Sequence, residues 1–141
     1  MEVFLISGSN ANSIRTNTSL LMAFGLKLLG LETVHIQLTG RDERPVLTGE
    51  MPAPFATAWF PATERPPSSA AIWDWIRQSA TAEAVVVDLP VSAFDHGWIA
   101  DPAFRILLPM ATGAAEAERT ARDFHAIAAS LVSPDLVLPW I

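Results

Sequence analysis

Cysteine is absent from this chain of 141 residues. That excludes disulfide frameworks, thiolate zinc sites, iron–sulfur clusters and cysteine nucleophiles together, and it leaves the redox compartment open. Lysine is almost absent as well: Lys27 is the single one among nine basic residues. Charge of either sign is sparse, at 17% of residues with a net charge of −6, against about 25% charged residues in an average domain. A duplex-binding surface draws its affinity from clustered Lys and Arg, so no nucleic-acid partner is expected. Long hydrophobic runs are lacking too. The longest candidate, Leu20 to Leu31, is interrupted by Lys27 and by small residues, short of the roughly 18–20 apolar residues that cross a bilayer. The run Val3-Phe4-Leu5-Ile6 follows Glu2 rather than positive charge and is too short for a secretory leader. The expectation is a cytoplasmic protein with no membrane span.

Half of the residues are hydrophobic, and the length suits one domain that buries about two-thirds of its unfolded surface. Val3 to Ser7 reads as a strand buried on both faces, followed by the small polar cluster Gly8 to Ser13. Leu20, Leu21, Phe24, Leu28 and Leu31 recur at helical spacing, with hydroxyls at Thr16 and Thr18 as caps and Gly30 as the stop. Thr33 to Leu38 is a second strand. Residues 40–69, rich in proline and carrying Phe55, Trp59 and Phe60, read as a long irregular insertion in a single domain spanning 1–141. Beyond it come a short helix to about Ala80, a strand at Ala84 to Asp88, a strand at Phe104 to Pro109, a helix over roughly 113–131 and a last strand at Leu136 to Leu138. Alternation of strands and helices predicts an α/β fold, a parallel sheet flanked by helices in three layers.

In such a sheet ligands bind at the carboxyl ends of the strands, so the loop after Ser7 is the first place to look. There Asn10-Ala11-Asn12-Ser13-Ile14-Arg15-Thr16-Asn17 joins strand to helix, with a basic residue and a threonine at the helix start, as in a phosphate-binding loop. Later segments fit the same order: Val85-Val86-Val87-Asp88-Leu89-Pro90, and Ile106-Leu107-Leu108-Pro109 ahead of a helix. This pattern resembles the ParA/MinD-type partition ATPases, a branch of the P-loop NTPases. Their first loop reads K-G-G-x-G-K-[ST]-[ST], and a later strand ends in D-x-P. The resemblance covers most of the chain in order.

What the resemblance implies is set by the departures. Ala11, Asn12 and Ile14 stand where the family has its glycines, and Ile14 would be strained in a backbone of positive φ. Arg15 stands at the phosphate-chelating lysine and Asn10 at the family's additional lysine; Gln37 and Thr39 replace acidic residues after the second strand. Thr16 and Asp88 keep the residue types of a magnesium site. The implied reading is an eroded nucleotide site at Asn10, Arg15, Thr16 and Asp88, without hydrolysis and with no required cofactor, weak binding of ATP and magnesium or another anion staying open through Arg15 and the helix N-terminus. Other roles for the same residues also remain open: Thr16, Thr18 and Ser19 as helix caps, Asp88 as a turn former before Pro90, Arg15 as a surface cation. His35, His96 and His125 show no metal-ligand spacing.

Five tryptophans are many for this length. Tryptophan and phenylalanine anchor protein interfaces, so Trp59, Phe60, Trp98 and Trp140 are the candidate contact residues for a protein partner or for self-association. The competing reading packs them into the core. The resembled family continues with further strands beyond Leu138-Pro139-Trp140-Ile141, so the last strand is expected at an apolar sheet edge that a second chain could cover. Two functions are consistent with the sequence: a non-hydrolysing ParA/MinD-like protein working through protein–protein contact as an accessory in partition, positioning or envelope machinery, and a small α/β protein that binds a nucleotide or another anion, with weak ATPase activity left open.

Overall fold

The structure, a computed structural model, describes residues 1–9, 12–39, 53–61, 68–78, 81–91, 98, 104–129 and 137–140. In chain order the elements are β1 (Glu2–Gly8), α1 (Asn12–Leu28), β2 (Thr33–Thr39), β3 (Ala56–Pro61), α2 (Ser69–Gln78), β4 (Ala84–Pro90), β5 (Phe104–Pro109), α3 (Ala114–Ala128) and β6 (Val137–Trp140). The six strands form one sheet in the order β3-β2-β4-β1-β5-β6, and every neighbouring pair is parallel. The expected α/β class with helices flanking a parallel sheet is what the chain adopts.

Strand order fixes which helix lies where. The step from β1 to β2 runs one way along the sheet, while the steps from β3 to β4 and from β5 to β6 run the other way. Right-handed crossovers in opposite directions put their helices on opposite faces. Accordingly Val3, Leu5, Val85, Val87 and Leu89 pack with Ile72, Trp73 and Ile76 of α2 and Ile127 of α3. The intervening residues Ile6 and Val86, with Leu107, pack with Ala23 of α1 and with Phe55. This alternation follows from the two-residue repeat of a strand. β4, flanked by β1 and β2, is buried at all seven of its residues, as a strand covered on both faces must be.

Helix ends follow local chemistry. Gly30, at φ 88°, donates to the Lys27 carbonyl at 2.9 Å while Leu31 N–H reaches the Leu26 carbonyl at 3.2 Å. These paired bonds, with a glycine in the left-handed region, close α1 in a Schellman motif. At the start of α2 the Ser68 hydroxyl accepts the Ala71 N–H at 3.3 Å, a side-chain cap.

Two expectations change. The stretch 40–69 is not irregular throughout, because Ala56–Pro61 forms edge strand β3 beside β2. An edge tolerates the flanking prolines that a central strand would not. The first helix also begins earlier than Thr16, at Asn12. Ser13 to Asn17 are therefore helical, and Ile14 escapes the strain expected of it: among the described residues only glycines have positive φ. No helix among the described residues is long and apolar enough to cross a membrane.

Candidate functional site

The parallel pairing of β1 with β4 sets Asp88 opposite Ile6, near the carboxyl end of the first strand. The N-terminal turns of α1 pass over this point. Arg15 Nε lies 2.5 Å from Asp88 Oδ1, and Thr16 Oγ1 donates to Asp88 Oδ2 at 2.7 Å. An Arg15 Nη1 bond to the Gly8 carbonyl at 3.3 Å completes the corner. Both charged side chains are withdrawn from water, at 3% exposure for Arg15 and 0% for Asp88. A cation in the first turn of a helix opposes the helix dipole, whereas a carboxylate beside it is favoured; Asp88 offsets both the charge of Arg15 and the partial positive charge of the helix start.

A second carboxylate engages the connector itself. Asp123 of α3 accepts the Ser9 backbone N–H at 2.8 Å and the Ser9 hydroxyl at 2.8 and 2.9 Å. α3 reaches this place because it follows β5, the other neighbour of β1. Backbone N–H groups at this end of the sheet are the donors with which a phosphate-binding loop grips its ligand. In this chain one such donor is turned to a carboxylate of the protein.

Beneath α1 the polar side continues inward. Ser19 Oγ donates to the Thr16 carbonyl at 2.8 Å, so the 2.9 Å contact between Ser19 Oγ and His35 Nε2 has the imidazole as donor. His35 is 2% exposed, and burial pushes its imidazole down to about 4. The pair resembles a serine–histidine dyad only in composition. A nucleophile requires the histidine to accept the hydroxyl proton, and this hydroxyl is fully buried.

Of the residues singled out in the sequence, Arg15, Thr16 and Asp88 meet in one buried cluster; Asn10 lies outside the described residues. The connector between β1 and α1 is only Ser9 to Ala11, so most of the segment that overlies the phosphate-loop motif is helix. The aromatic candidates part company. Trp98 is fully buried, with its ring centroid 6.0 Å from that of Trp73; it is core, and it cannot reach a partner from there. Phe60 is half-buried against Trp75 on the α2 side. Trp59 is 45% exposed at the β3 edge. The backbone of Trp140 lies in β6, at the opposite edge of the sheet, and its side chain is outside the description.

Sequence reasoning missed Ser9 and Asp123. The only available signal was the short polar cluster after β1, which does not name a partner 114 residues away. It also missed three buried polar atoms that have no hydrogen-bond partner among the described residues, Ser7 Oγ, Trp98 Nε1 and Thr120 Oγ1. Among the described residues no group of three or more His, Asp or Glu is placed to hold a metal ion. Set against known proteins, the chain matches no family model and no curated sequence.

Proposed function

We propose that the chain is a ParA/MinD-like protein that does not hydrolyse ATP and acts in the cytoplasm through protein–protein contact. One observation carries the reading: the donors that a nucleotide's phosphates would need are already held by the chain's own carboxylates. Asp88 holds Arg15 and Asp123 holds the Ser9 amide and hydroxyl. A phosphate entering here would have to displace two internal anions, one of them in a fully buried ion pair. Support for the contact role comes from α1 and the residue that follows it: Leu21, Leu28 and Leu29 are 72%, 88% and 79% exposed. Apolar side chains concentrated in this way mark interaction surfaces more often than solvated ones.

The test is a calorimetric titration with ATP and ADP, each with magnesium, supported by thermal melts at millimolar nucleotide. The expected result is no saturable heat and no shift of Tm. Saturable binding that weakens on Thr16→Ala would overturn the proposal in favour of a nucleotide-binding protein.

A further inference from the structure

We infer that the outer face of α1 joins two copies of this chain across a two-fold axis near Gly25, with the helices antiparallel. The inference rests on the contact role proposed above and names both the surface and its partner. The face has knobs and a hole on the same stripe. Leu21 and Leu28, seven residues apart, stand 72% and 88% exposed, with Leu29 at 79% and Phe24 at 39% beside them. Between the two knobs lies Gly25, where an added Cβ would meet nothing within 4 Å. Thr18, Leu21, Met22, Gly25, Leu26 and Leu29 line an open groove of about 540 Å³ there, room for several leucine side chains.

Self-complementarity selects a second copy. Residues at a seven-residue spacing lie on one side of a helix, and small residues between them form the holes into which such knobs fit. A two-fold axis beside Gly25, between it and Phe24, sets Leu28 of each chain opposite Leu21 of the other, and each pair fills the partner's groove. That is the residue-to-residue reciprocity an isologous interface requires. At the axis the two glycines let the backbones approach closely.

Charge points the same way. A chain of net charge −6 meets its copy against repulsion over most of its surface. The described helix has two charged residues, Arg15 and Lys27. Arg15 is committed to Asp88 beneath the helix, and Lys27 to Glu32. The exposed stripe is left neutral, so two copies meet there without facing carboxylates. The four exposed side chains present on the order of 500 Å² of apolar surface, near the upper end for patches on monomers.

Absence of cysteine makes the geometry directly testable. The full chain is examined by light scattering and sedimentation over a range of concentrations, and Gly25→Cys is oxidised to trap the contact. A mass of twice 15.3 kDa is expected, together with a crosslinked Gly25→Cys dimer. A mixture of Leu21→Cys and Leu28→Cys chains should crosslink to each other more than either does to itself. Ala70→Cys, at an exposed position of α2 on the opposite face of the sheet, should stay uncrosslinked. Leu21→Glu/Leu28→Glu, changed at exposed positions so that folding by circular dichroism is retained, should raise the dimer dissociation constant at least 100-fold. A monomer at every concentration overturns the inference, as does a dimer that survives the double glutamate variant or fails to crosslink at Gly25→Cys. If the face instead binds lipid vesicles or another protein while the chain stays monomeric, the inference is likewise overturned. Nucleotide titration of the same samples separates the two proposals: saturable ATP binding sinks the functional reading, whereas a monomer inert to nucleotide sinks only the dimer.

Discussion

Asp88 is held from both oxygens by consecutive residues of one helix turn, Oδ1 by Arg15 at 2.5 Å and Oδ2 by Thr16 at 2.7 Å. A carboxylate gripped in this way ties β4 to α1. It acts as an internal counter-ion at a place where the fold would otherwise favour an anion from solution.

Breaking this pair should cost much more than its net contribution to folding. Arg15→Leu leaves Asp88 buried without its cation and is expected to destabilise the chain by about 3–5 kcal/mol. The double change Arg15→Leu/Asp88→Leu removes both charges and should recover at least half of that loss. Urea denaturation of the parent, the two single variants Arg15→Leu and Asp88→Leu, and the double variant in one cycle measures this; an Arg15→Leu cost below about 1 kcal/mol would show that the guanidinium is solvated.

Asp123→Ala takes the acceptor from the Ser9 N–H and hydroxyl in one step. Hydrogen bonds to charged groups contribute about 1.5–3 kcal/mol each, but water can replace part of this because Ser9 lies at the surface. A loss of about 2 kcal/mol is expected, with faster amide exchange at Ser9. Unchanged protection of that amide would rule out the contact.

His35 makes stability depend on pH in a definite direction. Its folded value, about 4, lies below the ordinary 6.5. Between these values the unfolded chain therefore binds more protons than the folded one, and stability rises with pH. This contribution is fully present above pH 6.5 and is lost as pH falls toward 4, on the order of 3 kcal/mol in total. Denaturation midpoints for the parent and for His35→Gln, taken between about pH 7 and pH 4.5, should diverge, the variant losing less. Parallel curves would mean that His35 is not buried as a neutral ring.

Thr120 presents a buried hydroxyl with no partner among the described residues. An unsatisfied buried polar group is a cost that an apolar isostere removes, so Thr120→Val should raise stability by about 1 kcal/mol. A drop in Tm instead would reveal a partner for that oxygen.

The central strands were legible because their apolar residues run nearly unbroken, as at Val85 to Val87 and Ile106 to Leu108. β3 was not. Its Ala-Thr-Ala start carries little pattern, prolines crowd both sides, and only pairing with β2 at a sheet edge makes it a strand. The start of α1 was obscured for a related reason: Asn12 to Arg15 offer no apolar repeat, and the helix there is held by Arg15 and Thr16 on Asp88. The residue types at the β1–α1 corner could be read from the chain. That Arg15 would face a carboxylate of its own protein rather than outward is decided by which strand lies next to β1, and order along the sequence does not encode that. Trp98 was ambiguous because a tryptophan outside any repeat has the same signature in a core and at an interface.

The place of β4 has a consequence for how the chain is made. β1, α1 and β2 emerge from the ribosome before the other elements of this sheet, yet β1 and β2 never touch as neighbours: β4 lies between them. Strands in a sheet sit about 4.8 Å apart, so the early segment holds open a gap one strand wide, close to about 10 Å from β1 to β2. Synthesis must pass α2 before the filler arrives, and until then β2 can pair only with the edge strand β3 while β1 has no partner in register. The full sheet is thus expected to close only after β4 has been made, and a nascent chain stopped ahead of Ala84 leaves apolar β1 unpaired.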